Sequence, residues 1–345
     1  MKNISVWILC CGLTCCTILP SCNKPNNESN AKKITVGFSQ IGAESDWRSA
    51  NTLSIKNEAA LRGVDLRFAD AQQKQENQIK ALRSFIDQKV DVIALAPVVT
   101  TGWQGVLAEI KAAGIPVILT DRAVEVSDDS LYITLISPDT VEEGRRAARW
   151  FIENTKGELK VFELLGTPGS SPAIDRAKGF REAIVAHPRI RIIKSQTGDF
   201  ESAKGKEVTQ AFLKTPEGGD FNALYAHNDN MAIGAIQALK EAGRKPGADI
   251  KIVSIDAVKA AFEAMVAGEL NCTVECNPLL GPQLFDTVQA IMAAKALRDL
   301  GIKHKLVKPD VLNALGGAIF EKRVWVDEGV FVQSDARKLI NTRKY

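Results

Sequence analysis

The 345-residue chain predicts an α/β fold of two doubly wound parallel-sheet lobes. Three observations carry this expectation. Short runs of β-branched and aliphatic residues alternate strictly with helical runs, the order that builds parallel sheets through crossover helices. The alternation ends near Asn154 and restarts at Lys160. The chain is also too long for one small core, and its 45% hydrophobic and 25% charged residues are ordinary for globular domains.

The first lobe opens with Ile34, Val36 and Phe38 alternating as a strand, a Ser/Gln/Gly loop, and a helix through Ser49–Ala60. A strand over Val64–Ala69 follows, then a polar loop through Gln75 and a helix to Lys89. Val90–Ala96 is nearly all apolar, which fits a strand covered on both faces. A helix over Thr101–Ala113 stops at Gly114 and leads past Pro116 into the strand Val117–Thr120. Leu131–Ile136 is the next strand, and Ser137-Pro-Asp139 caps a helix over Val141–Asn154. In the second lobe strands fall on Lys160–Leu165, Ile190–Ser195, Ala223–Ala226, Ile250–Ile255 and Leu270–Cys276. Helices fall on Ile174–Ala186, Ser202–Leu213, Met231–Glu241 and Val258–Ala267, with a further one over Gln283–Leu300.

Loops at the carboxyl ends of parallel strands line the ligand crevice of such sheets. The loop after the first strand brings Glu44, Ser45, Trp47 and Arg48 together. A flat ring beside a carboxylate and a guanidinium suits a polyhydroxylated ring, with its apolar C–H faces and polar hydroxyl edge. Asp121-Arg122 ends another strand, where a carboxylate matches a pair of vicinal hydroxyls, or else forms a solvated turn with a local salt bridge. In Tyr225-Ala-His-Asn-Asp-Asn-Met231 the expected N-cap is Asp229, leaving the Asn228 amide for the cleft, while His227 reads as a core histidine.

Two stretches carry a family resemblance: Val36-Gly-Phe-Ser-Gln-Ile-Gly-Ala-Glu-Ser-Asp-Trp-Arg48 and Asp70-Ala-Gln-Gln-Lys-Gln-Glu-Asn-Gln-Ile-Lys80. They resemble the galactofuranose-binding periplasmic proteins of sugar ABC transporters, within the ribose-binding-protein-like type I solute-binding family. The likeness runs from about Ile34 to Glu275 and more loosely to Tyr345. It implies three chain crossings that form a hinge, near Ser137, Cys276 and Lys322. Lobe 1 is then 34–137 plus 277–322, and lobe 2 is 138–276 plus 323–345. Val307–Phe320 is longer than the family pattern and is left unassigned.

The resemblance also implies a ligand-binding set: Ser39, Glu44, Trp47, Arg48, Asp121, Arg122, Arg176, Phe200, Asn228, Asp256 and Glu275. Within it Arg176, in Ile174-Asp-Arg-Ala-Lys-Gly-Phe180, reaches the cleft; from the residues alone it would pair on the surface with Asp175 or Glu182. Phe200 serves as a second ring platform opposite Trp47, or merely as a staple at its helix start. Asp256 is a second carboxylate of the site or a helix cap, followed by Ala257 where relatives usually have Gly. Glu275 takes the place of a polar contact at the second crossing. Glu44, Asp121, Asp256 and Glu275 against Arg48, Arg122 and Arg176 is near balance, which favours a neutral sugar over an acid or an amine.

The first 21 residues read as a leader, with Lys2 followed by an apolar core over Val6–Leu19 that is too short for a membrane span. Leu19-Pro-Ser-Cys22 resembles a lipoprotein signal in which Cys22 is lipid-modified; an ordinary secretory leader cut nearby is the alternative. Residues 22–33 are a polar tether. The expected location is periplasmic or extracytoplasmic, anchored to the membrane. Of seven cysteines only Cys272 and Cys276 then remain in the folded body. At i, i+4 on a strand they lie too far apart for an easy disulfide, so two semi-buried free thiols are expected, with a strained redox pair as the alternative.

A net charge of +3 spread along helical faces excludes a polyanion partner such as nucleic acid. The Gly166–Ser171 loop lacks the phosphate-cradle patterns. Only His187, His227 and His304 are present, without a nucleophile elbow or metal cluster, so neither an enzyme nor a cofactor is expected. The chain reads as a monomeric, sugar-capturing lipoprotein that feeds an ABC permease and ATPase, with galactofuranose the favoured ligand. A co-receptor that presents its closed form to a membrane histidine kinase is the alternative. A sugar-responsive repressor would need a helix-turn-helix where residues 1–33 stand.

Overall fold

The computed structural model describes residues 33–299, 321–326 and 328–345. The expected leader, Cys22, the expected tether up to residue 32, and Val307–Phe320 lie outside the described residues.

Two six-stranded sheets form the frame. The first lobe runs β1 (Thr35–Gln40), α1 (Asp46–Leu61), β2 (Asp65–Asp70), α2 (Gln75–Asp87), β3 (Val92–Leu95), α3 (Gln104–Ala112), β4 (Val117–Thr120) and β5 (Thr134–Ser137). The second runs α4 (Thr140–Asn154), β6 (Leu159–Leu165), α5 (Ser171–Ile184), β7 (Ile190–Thr197), α6 (Ser202–Leu213), β8 (Ala223–Ala226), α7 (Asp229–Glu241), β9 (Lys251–Asp256), α8 (Lys259–Val266) and β10 (Cys272–Glu275). Then come α9 (Gly281–Asp299), β11 (Arg323–Trp325), β12 (Val330–Val332) and α10 (Gln333–Leu339).

Sheet order is β11-β5-β4-β3-β1-β2 in the first lobe and β12-β10-β9-β8-β6-β7 in the second. Every pairing is parallel except that of β10 with β12. Central strands such as β3 and β8 are buried along their whole length, which is why they read as unbroken apolar runs. Phe38, Ile55 and Leu284 pack the face of the first sheet that α9 covers, and α9 therefore belongs to the first lobe. Phe162 stacks on Phe212 at the heart of the second, with the Phe221 ring packed against both.

The chain passes to the second lobe after β5, back after β10, and over again between β11 and β12. That third passage lies beyond the expected crossing at Lys322, because Arg323–Trp325 still pairs with Leu135–Ser137 of the first sheet.

The lobes are closed on one another. Trp47 Nε1 donates to the Cys276 carbonyl at 2.6 Å, Gln73 Nε2 to Glu201 Oε1 at 2.7 Å, and Thr100 N to the Gly169 carbonyl at 2.8 Å. Asp46 N and the Asn230 side chain add a weaker tie at 3.3 Å.

Candidate functional site

In each sheet the strand order reverses beside the first strand, β1 in one lobe and β6 in the other, and a crevice opens there. The loops after β1, β4, β6, β7, β8, β9 and β10 meet between the lobes around a tight cavity of about 20 Å³. From the first lobe it is lined by Glu44, Ser45, Trp47, Arg48, Asp121 and Arg122. Pro172, Arg176, Phe200, Asn228, Asp256 and Cys276 complete it.

Local backbone sets these side chains. Ser45 caps α1 by accepting from Arg48 N, which turns Trp47 and Arg48 into the cleft on the first helical turn. Asp121, Phe200, Asp256 and Ala257 all have positive φ, at 64°, 65°, 124° and 60°. Non-glycine residues in such conformations cost of order 1–3 kcal/mol each and concentrate at functional sites. The Asp256–Ala257 bend is held by Asp229, whose buried carboxylate accepts from Ser254 Oγ, from Thr273 Oγ1 at 2.8 Å and from Val258 N at 2.9 Å.

Three acids and three arginines face the cavity, together with the Cys276 thiol. Arg48 joins them, donating to Asp121 Oδ2 at 2.6 Å and to Glu44 Oε1 at 3.0 Å. Burial raises the Glu44 carboxyl, but Arg48 and Arg122 outweigh it and hold the group below the usual carboxylate range. Arg122 is buried beside Arg48, and these two effects bring its guanidinium down to about 10. Its Nη1 donates to the Val98 carbonyl at 3.0 Å. Burial pushes Asp256 well up, against the pull of Arg176, whose Nη2 stands 3.7 Å away. Arg176 is fixed by Glu143 Oε2 at 2.6 Å and the His227 carbonyl at 2.6 Å.

Two buried polar atoms at the cavity, Glu44 Oε2 and Arg122 Nε, have no hydrogen-bond partner among the described residues. One accepts and one donates. A guanidinium carbon lies over each ring, Arg48 at 4.7 Å from the Trp47 centroid and Arg122 at 5.3 Å from that of Phe200.

Nine of the eleven expected residues thus line one cavity, and two do not. Ser39 is buried within β1 and is not among the lining residues. Glu275 points to the far side of the hinge, where it accepts from Gly329 N, Arg343 Nη1 and Tyr345 Oη. Its neighbour Cys276 takes the cleft side, as alternation along an extended strand requires. The cap of α7 is also corrected: Asn228 accepts from Met231 N, while Asp229 is the buried clamp. Asn228 Nδ2 is committed to the Phe200 carbonyl at 3.0 Å, so it positions that ring's backbone. Arg176 does not pair with Asp175 or Glu182 but is buried against Glu143. Sequence reasoning placed Ser45 in the cleft loop but left it out of the binding set, and missed Pro172 and Cys276. The Ser-x-x-Arg capping pattern was the available signal for the first, and Pro172 at a helix start for the second. Cys272 and Cys276 are free, buried thiols. His227 is a core residue beside Glu163, and burial lowers its proton affinity.

Two α/β lobes closed over a polar cleft define a hinged solute-binding protein. Comparison with known proteins agrees: the periplasmic binding protein domain matches residues 36–296, and the chain belongs to that family. The galactofuranose-binding protein YtfQ of Escherichia coli (strain K12) is 52% identical over 75% of this chain and 82% of its own. The arabinose ABC transporter binding component of Shewanella sp. ANA-3, solved with α- and β-L-arabinofuranose, is 47% identical with a TM-score of 0.79, covering 90% of this chain and 95% of its own. A crystal structure of a galactofuranose-binding protein gives 45% identity and a TM-score of 0.80 over 90% of this chain and 98% of its own.

Proposed function

We propose that the protein captures a neutral furanose sugar between its lobes, galactofuranose in the first instance, and delivers it to an ABC permease and its ATPase. The observation that carries this is a pair of buried polar atoms without a hydrogen-bond partner among the described residues, Glu44 Oε2 and Arg122 Nε, the latter 3.7 Å from Asp121 Oδ2, in a cleft where three acids face three arginines. Sugar hydroxyls both donate and accept, so one hydroxylated ring answers both kinds of atom without adding net charge. Trp47 and Phe200 give its C–H faces apolar surface. The names of the relatives point to the same ligand class. No covalent step is involved: closure desolvates the hydroxyl network, where each matched pair counts for more and each mismatch costs more. The leader and Cys22 fit export and lipid anchoring at the membrane, with the protein acting as a monomer.

A thermal-shift panel tests the reading, with galactofuranose, arabinofuranose, galactopyranose, ribose, inositol and a uronic acid. At a hundredfold excess over Kd, a ligand stabilises the folded state by about 2.7 kcal/mol. That is a rise in Tm of about 5 °C or more. A rise with the furanoses that galactopyranose does not give is the expected result. The absence of a shift with any neutral sugar would overturn it. Capture of a permease and ATPase from solubilised membranes, rather than a sensor kinase, tests the delivery step.

A further inference from the structure

Behind the cleft the three hinge passages converge. Glu143 stands in the first turn of α4, just past the first passage; Cys276 follows β10 at the second; Glu328 lies in the third. One carboxylate oxygen of each glutamate and the Cys276 sulfur lie within 4.8 Å of one another. Each is also held by something else. Glu143 Oε2 takes Arg176 Nε at 2.6 Å, the Cys276 carbonyl takes Trp47 Nε1 at 2.6 Å, and the Glu328 carbonyl takes Arg146 Nη1 at 2.7 Å. The helices themselves are in tight contact: a Cβ on Gly144 would sit 2.2 Å from the Arg176 carbonyl oxygen.

Two buried carboxyl groups side by side do not both ionise. Glu328 stands beside Glu143, with an oxygen of each within 4.8 Å, and is pushed up to about 11, by burial first and by the Glu143 charge next. Among the described residues, the groups facing the pair are Arg176 from α5, Arg146 from α4, and the Cys276 thiol with Asp256 beyond it. Of these only the two arginines carry positive charge, and Arg176 spends its Nε on Glu143. The other Glu143 oxygen, Oε1, is buried and meets no N–H donor among the described residues. A carboxyl O–H from Glu328 meets its need.

We propose that Glu143 is the positioning residue for the cleft guanidinium of Arg176, and that a neutral Glu328 holds Glu143 in place by donating its O–H to it, so that the third hinge passage and the binding cleft are joined through one proton. The pair acts through Arg176 and does not itself touch the ligand. The inference rests on the sugar-binding reading only for its probe.

One neutral and one charged partner make the two glutamates respond differently to the same substitution. Glu328→Gln keeps a donor in the same place and leaves affinity for galactofuranose, by calorimetry, within about threefold of the original. Glu143→Gln removes the counter-ion of Arg176 and weakens binding about thirtyfold. Glu328→Leu, which cannot donate, falls between them. The sugar-free readout is infrared absorption of protein carrying isotope-labelled glutamate at pH 8: a protonated-carboxyl C=O band is present, and Glu328→Gln removes it. Equal losses in the two Gln variants, or a band that survives Glu328→Gln, would overturn the proposal. If Glu143→Gln does not fold, the infrared comparison still decides, since it needs neither that variant nor a ligand. A protein that bound no furanose yet lost the band in Glu328→Gln would sink the functional reading and leave the carboxyl pair standing.

Discussion

Arg122 is the residue at which stability and binding should part company. Its guanidinium is 2% exposed, lies beside the Arg48 charge, and has one nitrogen without a partner. A fall from 12.5 to about 10 corresponds to about 3 kcal/mol against folding at neutral pH. The sign follows from proton binding. Between pH 10 and 12.5 the unfolded chain holds a proton that the folded one has lost, so stability rises with pH through that window, and the full cost is present below it. Arg122→Gln removes that cost. It also removes the bond to the Val98 carbonyl and the stack on Phe200, together about 2 kcal/mol. The expected net effect is a protein more stable by about 1 kcal/mol that binds furanose 10–100-fold more weakly, the loss of a charge-assisted donor being about 1.5–3 kcal/mol. Urea unfolding followed by circular dichroism gives the first quantity and titration calorimetry the second. Destabilisation beyond about 1 kcal/mol, or unchanged affinity, would refute the reasoning.

Other outcomes follow from the same geometry. Trp47→Phe keeps a ring but loses the bond to the Cys276 carbonyl, and should weaken binding about five- to tenfold by calorimetry, with Tm in the absence of sugar changed less than affinity. Asp256 has a folded value above its unfolded one, so stability falls as pH rises through the interval between them. Asp256→Asn should therefore match the original protein in Tm below pH 3.8, where both side chains are neutral, and exceed it at pH 8; the reverse order would show a net-stabilising carboxylate. Gly144→Ala drives a methyl into the Arg176 backbone and should cost about 3 kcal/mol in urea unfolding, with weaker binding in whatever folds.

The two-lobed architecture was legible because parallel strands buried on both faces leave unbroken apolar runs, and β3 and β8 show them plainly. Most cleft residues were legible because they stand at strand ends, where chain order alone assigns them to the crevice. What stayed hidden depends on long-range partners. Asn228 and Asp229 can both cap a helix, and the choice between them is made by Ser254 and Thr273, which take the Asp229 carboxylate into the core. Nothing near Arg176 in sequence announces Glu143, which lies 33 residues earlier. Glu275 was misplaced by one step of strand alternation, with Cys276 taking the cleft side. The third passage was misplaced because β11 is only three residues long.

The threefold passage of the chain has a further consequence, for the order in which the molecule is completed. The second sheet draws five of its six strands from one uninterrupted stretch, Leu159–Glu275. The first lobe begins earlier but ends later. α1 waits for α9 to cover Ile55, and β5 stays an open edge until Arg323–Trp325 pairs with it. Synthesised from its amino end, the protein holds its first-made half incomplete while its second-made half folds. Exposed strand edges and uncovered apolar faces are where chains associate wrongly before they are finished. The first lobe, which carries Trp47, Arg48 and Asp121, is therefore the half left exposed longest, and a chain stopped before Arg323 should aggregate through it.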